Sequence, residues 1–437
     1  MKQFKIKDND KKNKAEFSDI PRLVRTVSDK TLEELEKEGV FVFPGGIREA
    51  EDITKDQMIL QSVNDSYCSG NVMGFLGYGD ERLVIESRFS TGNNDYFFQY
   101  LLERVMDFPN IVNLETNAHH DSRMYSLLLF LFPSFLSAAL RKGPFKTYVR
   151  SQYNDANLRG TLDISRHIQK NTPFMGNIAY NQRKYAYDNF LMQLIRHTIE
   201  YIKRKPYGHK LLAKTKDEIK LVSDVTPDYS AKDLQKVLTA NKKNTVRHAY
   251  YHEYRALQQL CILILQDERM MVGLRTRKVY GILFDGAWLW EEYVNTLVKD
   301  TFHHPMNKSR REGQRLFSDG TGLIYPDFIG KDPQNRILAD AKYKPAENIG
   351  NKDYFQVLAY MYRFDSKKAY YFYPDKLGSE DKVLLLNKGS SYEKNVTVRG
   401  EICLIKHGLH IPCDAESYND FVRQIKDSED VFMGPIL

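Results

Sequence analysis

Cysteine is scarce and unpatterned. Cys68, Cys261, Cys403 and Cys413 show neither CxxC spacing nor a paired His motif, so the sequence encodes no recognisable zinc site or disulfide framework. A reducing, cytoplasmic setting is the matching expectation. A phosphate loop is also missing: Gly74-Phe75-Leu76-Gly77-Tyr78-Gly79-Asp80 is glycine-rich but lacks the Gly-Lys-Ser/Thr ending. It reads as a turn between strands, and no nucleotide is expected on this chain. The opening MKQFKIKDNDKKNKAEF has no apolar signal-peptide core and reads as a solvated, disordered lead-in. Long hydrophobic runs are few. Met124 to Leu140 spans 17 residues but holds three serines and Pro133, so it reads as a buried helix, kinked or broken near Pro133, with no membrane partner.

What is present is the composition of a soluble multidomain α/β protein. The chain has 437 residues, 42% of them hydrophobic and 28% charged, enough for two or three cores. A formal charge of +7 permits a nucleic-acid partner without demanding one. In a mixed first segment, Gly39–Pro44 and Arg82–Ser87 read as strands and Asp95–Met106 as an amphipathic helix. Arg82, Arg88 and Arg104 read there as solvated charges. Asn189–Tyr201 and Thr245–Gln266 carry apolar residues at helical spacing, and the lysine-rich stretch from Lys203 to Asn244 between them reads as a solvated linker.

Beyond Arg275, a helix is expected over Asp285–Thr301, then a basic stretch whose Lys308, Arg310, Arg311 and Arg315 are candidates for phosphate contacts with DNA. Gly322–Ile329 and Arg336–Tyr343 read as strands joined through the turn formers Asp332, Pro333 and Asn335. A turn centred between Pro333 and Gln334 pairs residues whose numbers sum to 667, setting Asp327 opposite Asp340. Because strand side chains alternate, Asp340 and Lys342 share one face while Ile337, Ala339, Ala341 and Tyr343 point the other way. Two carboxylates this close call for a cation, and Mg²⁺ takes oxygen ligands through one or two carboxylates plus water and phosphate. Gln356 and Tyr360 follow four apart, on one helical face, and Ala369–Tyr373 is β-prone. Glu401–Ile411 and a closing helix near Glu416–Ile425 complete an α/β layer.

Pro326-Asp327 with Asp340-Ala341-Lys342 resembles the PD-(D/E)xK nuclease signature. Leu289-Trp290-Glu291-Glu292-Tyr293-Val294 looks like its upstream glutamate helix, and Gln356-to-Tyr360 is similar to the Gln-x-x-x-Tyr helix of RecB-like nucleases. Leu158–Ile164, Ile178-Ala179-Tyr180, Arg183 and Asp188-Asn189-Phe190 leading to Ile199 resemble McrC, the nuclease subunit of McrBC-type, modification-dependent restriction systems. This resemblance implies an N-terminal mixed α/β partner-binding domain (1–147), a helical middle region (148–274) and a PD-(D/E)xK restriction-endonuclease-like domain (275–437). It implies Mg²⁺, with Mn²⁺ as substitute, held by Asp327, Asp340, the Ala341 carbonyl and Glu291. Lys342 would orient or help to deprotonate the attacking water, with Gln356 and Tyr360 positioning water or DNA phosphate. The implied partners are double-stranded DNA and a hexameric AAA+ GTPase of McrB type, docked through the N-terminal domain, in defence against foreign DNA. Two rival readings are a catalytically inactive NTPase-activating or DNA-bridging subunit, and a RecB-like repair nuclease.

Overall fold

A computed structural model describes the chain except residues 1, 39, 44–56, 91–94, 106–119, 206, 247–248, 271–278, 306–312, 390–395 and 437, and the side chains of 120–127 and 266–270. Two compact units emerge, one formed by Met1–Thr116 with Arg275–Leu437 and the other by Asn117–Leu274. Residues 1–116 of the first expected segment therefore share a unit with the last segment, while residues 117–147 fall with the middle one. The fold is mixed α/β, as expected.

Within the first unit, a five-stranded sheet runs in the order Lys2–Lys7, Glu81–Glu86, Val72–Tyr78, Tyr280–Asp285, Val40–Phe43. Its apolar side chains, among them Ile6, Leu76, Leu83, Ile85 and Leu283, meet Leu23, Val27 and Leu35 of two short helices. The expected disordered lead-in is corrected here: Lys2–Lys7 pairs in parallel with Glu81–Glu86. Phe4 and Ile6 alternate with lysines, and Lys5 meets Glu86 at 2.7 Å, so the charges edge a strand. Arg82 is buried and Arg88 is tied to Asp8, contrary to their reading as solvated charges.

The glycine-rich stretch is also a strand for most of its length. Gly74 has φ +137°, and a Cβ there would lie 2.1 Å from the Ile282 carbonyl oxygen. Glycine lets the strand Tyr280–Asp285 pass at close range.

A second, six-stranded sheet has the order Phe302–His303, Phe328–Gly330, Ile337–Ala341, Lys368–Asp375, Thr397–His410, Lys382–Lys388. The first three strands are antiparallel, and Ile337–Ala341 then pairs in parallel with Lys368–Asp375. The helix Asn351–Arg363 makes that crossover, burying Val357, Tyr360 and Met361 against Leu338 and Tyr371. On the other face Phe372 meets Phe432 of the helix Tyr418–Met433, with ring centroids 5.1 Å apart. The indole N–H of Trp290, on the helix Gly286–Val298, donates to the Phe372 carbonyl at 3.0 Å.

The second unit opens with the helix His120–Leu140 and adds an antiparallel sheet in the order Thr147–Asp155, Ile178–Ala186, Thr161–Leu162. His120–Leu140 is one helix with Pro133 inside it, so the chain is not broken there. It packs on His252–Met270, which also meets Phe190–Lys203. The expected linker is likewise corrected: Lys216–Val225 and Leu234–Lys243 are helices that bury Val222, Val237 and Leu238. Their lysines hid a sparse but regular apolar stripe. Among the described residues no helix is long and apolar enough to cross a membrane.

Candidate active site

The hairpin has the expected register. Phe328 pairs with Ala339 and Ile329 with Leu338, both summing to 667, so Asp327 arrives opposite Asp340 at the end of the paired strands. Asp327 is fixed by its own chemistry: its carboxylate accepts the Ala341 N–H at 2.9 Å, and its carbonyl lies 2.8 Å from His304 Nδ1. Asp340 is 2% exposed, and the Lys342 ammonium sits 2.6 Å from its carboxylate. Burial opposes a charge on Lys342, but Asp340, Asp327 and Asp353 outweigh it and raise its pKa, holding the amine protonated.

The helix that follows closes the site from the other side. Gln356 donates to the Tyr360 hydroxyl at 2.6 Å, and that hydroxyl donates to the Tyr325 carbonyl at 3.3 Å, two residues before Asp327. Tyr360 is only 4% exposed. Its hydroxyl holds Gln356 and the chain leading to Asp327.

Glu291 is buried on the helix Gly286–Val298 and lies 3.8 Å from His304 Nε2, as does Glu292. Burial works against a charged His304, yet Glu292, the Asp327 carbonyl and Glu291 push its pKa up to about 9. His304 therefore stands between Glu291 and the Asp327 backbone. Among the described residues, no three His, Cys, Asp or Glu side chains gather as a metal cage. What the hairpin offers is a two-carboxylate, oxygen-only donor set, Asp327 and Asp340 with the adjoining Ala341 carbonyl, and that chemistry fits Mg²⁺.

Of the basic candidates, Lys308, Arg310 and Arg311 lie outside the described residues. Arg315 is exposed on the short strand Gln314–Arg315, where its carbonyl accepts from Arg363 at 2.6 Å.

Sequence reasoning assigned no role to His304, Lys344 or Asp353. Asp353 caps its helix by accepting the Gly350 N–H at 2.9 Å and also binds Lys344 at 2.7 Å, with Lys342 at 3.8 Å. Despite burial, Lys344, the Gly350 N–H and Lys342 hold its carboxyl below the usual range. A carboxylate three residues into a helix that starts beside a lysine-bearing strand was the available signal.

Fold and site define a mixed α/β protein with an acidic, lysine-bearing centre on one hairpin. The chain belongs to the McrBC family: the family model described as "McrBC 5-methylcytosine restriction system component" matches residues 69–374. That span includes every site residue from Glu291 to Tyr360, and it bears out the resemblance to McrBC-type systems. The chain is similar, at 14% identity and TM-score 0.49, to a chain of the refined half-complex from a tetradecameric assembly of Thermococcus gammatolerans McrB AAA+ hexamers with bound McrC, covering 97% of this chain and 99% of that one. It is also similar to a chain of the Thermococcus gammatolerans McrBC complex, at 16% identity and TM-score 0.33, covering 68% and 87%. No curated protein matches the chain.

Proposed function

We propose that this chain is the DNA endonuclease subunit of a McrBC-like restriction system, hydrolysing phosphodiesters with Mg²⁺ when assembled with a GTP-driven AAA+ partner of McrB type. The observation that carries the reading is the meeting of Asp327, Asp340 and Lys342 at one hairpin end, with Lys342 Nζ 2.6 Å from Asp340. Asp327, Asp340 and the Ala341 carbonyl would hold Mg²⁺, which when bound supplies Lewis-acid polarisation of the phosphodiester. The Lys342 ammonium stabilises charge developing on the phosphoryl oxygens and orients the attacking water. Gln356, locked by Tyr360, positions water or phosphate beside it. Glu291 enters the centre by way of His304.

Family membership supports the AAA+ partner, and the segment 1–147 is the expected docking element. One group of large exposed apolar side chains offers a second candidate surface. Tyr148, Ile164, Ile168, Phe174, Met175 and Tyr185 are all more than half exposed, and all lie in or beside the small sheet of the second unit. Pull-down of the co-expressed GTPase by Phe174→Ser/Met175→Ser and by Arg104→Glu chains separates the two surfaces.

One observation favours a second reading, an inactive NTPase-activating subunit: among the described residues no three-side-chain cage forms, and Glu291 faces His304. The deciding experiment is cleavage of methylated and unmethylated plasmid in Mg²⁺, by the chain alone and with its NTPase plus GTP. Cutting only with partner and GTP supports the proposal. Faster GTP hydrolysis with no cutting in Mg²⁺ or Mn²⁺ supports the inactive subunit, and partner-independent cutting a repair nuclease.

A further inference from the structure

Tyr343 follows Lys342 directly, and strand alternation sends it to the opposite face of the sheet from the candidate centre. It is 6% exposed there, with its hydroxyl 2.6 Å from Ser87 Oγ and 3.3 Å from Met73 Sδ. Its ring meets Phe89 edge-on at 5.1 Å and lies under the Arg88 guanidinium, 5.1 Å from the centroid. Arg88 is held in turn by Asp8 and the Asn71 side chain. A third element closes on the same ring: a Cβ at Gly286 would lie 2.6 Å from Tyr343 Cε1. Gly286 opens the helix that carries Glu291, and its N–H donates to the Asn71 carbonyl at 3.2 Å.

One aromatic ring thus touches three things: the strand bearing Asp340 and Lys342, the first turn of the Glu291 helix, and the segment Ser87–Phe89 that leaves the N-terminal sheet. We propose that Tyr343 is a positioning residue for the metal-binding centre. In this reading the Ser87 and Arg88 clamp sets the backbone of Ala341 and Lys342 and the entry of the Glu291 helix, so the N-terminal sheet governs the affinity of the centre for its cation. The inference rests on the nuclease reading above and adds to it the residue through which the two sheets of the unit are coupled. Ring packing alone would make Tyr343 a contributor to stability. The hydroxyl contact with Ser87, one residue removed from the Arg88 ion pair, is what a positioning role uses.

The test is Mn²⁺ binding, followed by electron paramagnetic resonance on the full chain, with thermal melting of the metal-free protein alongside. Tyr343→Phe keeps the ring but drops the hydroxyl contacts to Ser87 and Met73, and Ser87→Ala drops the same Tyr343 contact together with the hydrogen bond from the Phe89 N–H, so what the two variants lose in common is the Tyr343–Ser87 hydrogen bond. Each is expected to weaken Mn²⁺ binding by about tenfold, the usual effect of removing an outer support of a metal site. The double variant should be no weaker than either single one, because both act through the same contact. Gly286→Ala, which presses on the ring, should shift binding in the same direction. Unchanged Mn²⁺ affinity in Tyr343→Phe and Ser87→Ala, with melting lowered or not, would overturn the positioning role while leaving the centre itself intact. Absence of Mn²⁺ binding in the wild-type chain, or only in Asp340→Ala, separates the cases further: the former removes the metal reading and this inference with it, the latter confirms the centre against which the variants are scored.

Discussion

The carboxylate of Asp327 accepts the backbone N–H of Ala341 at 2.9 Å, so an acidic side chain from one strand end stitches the hairpin at the residue between Asp340 and Lys342. An asparagine can accept the same hydrogen bond but carries no charge. Asp327→Asn is therefore expected to keep its melting temperature within a few degrees and to lose cleavage by about 10²-fold or more, the scale of losing one electrostatic stabiliser. Plasmid nicking at matched protein concentration checks it.

Asp340→Ala should remove cleavage while leaving the fold and partner binding in place. Lys342 keeps Asp353 within 3.8 Å and is itself partly exposed, so its charge stays accommodated. Cleavage that survives this change would contradict the site assignment, and circular dichroism with partner pull-down reports on the rest.

The reverse deletion is expected to be harsher on stability. Lys342→Met takes the cation 2.6 Å away from a carboxylate that is 2% exposed. Breaking a buried pair from one side costs about 3–5 kcal/mol. Urea unfolding of the metal-free chain should show a loss of that order, together with loss of cleavage.

Gly74→Ala tests the crowded crossing in the N-terminal sheet. The glycine sits at φ +137°, and the new methyl would meet the Ile282 carbonyl oxygen at 2.1 Å. Backbone strain alone costs about 1–3 kcal/mol, before any movement of the neighbouring strand. A lowered melting temperature is the expected result.

His197 gives the second unit a pH dependence. Its side chain is buried against Tyr229, and burial pushes its pKa down to about 4 from an ordinary 6.5. The unfolded chain binds a proton near pH 6.5 that the folded chain refuses until about 4, so the stability tied to the neutral ring is full above 6.5 and is lost as pH falls through 4. His197→Phe should flatten that slope in denaturant melts taken between these values.

The hairpin was legible because its turn is spelled out by Asp332, Pro333 and Asn335, and a known turn centre fixes which residues face each other. Gln356 and Tyr360 were legible for a similar reason, since helical spacing alone puts them side by side. His304 was not, because its contacts with Glu291 and Asp327 are made through space, 13 and 23 residues away. Gly74 was misread because a glycine needed for close passage looks, in one dimension, like a glycine needed for a turn. Lys2–Lys7 was misread because three lysines outweigh Phe4 and Ile6 in composition, although only alternation decides a strand.

The strand Tyr280–Asp285 lies between Val72–Tyr78 and Val40–Phe43. Its place in the sheet makes the order of synthesis matter. A ribosome moving at about 5–20 residues per second releases Glu81–Glu86 roughly 10–40 s before it has made Asp285. For that interval the nascent N-terminal sheet has an open slot along Val72–Tyr78, while the intervening segment can already pair its own strands and helices. The last strand to arrive completes the first sheet, which makes translation through Asp285 a condition for building it. A chain stopped before Tyr280 leaves that slot open.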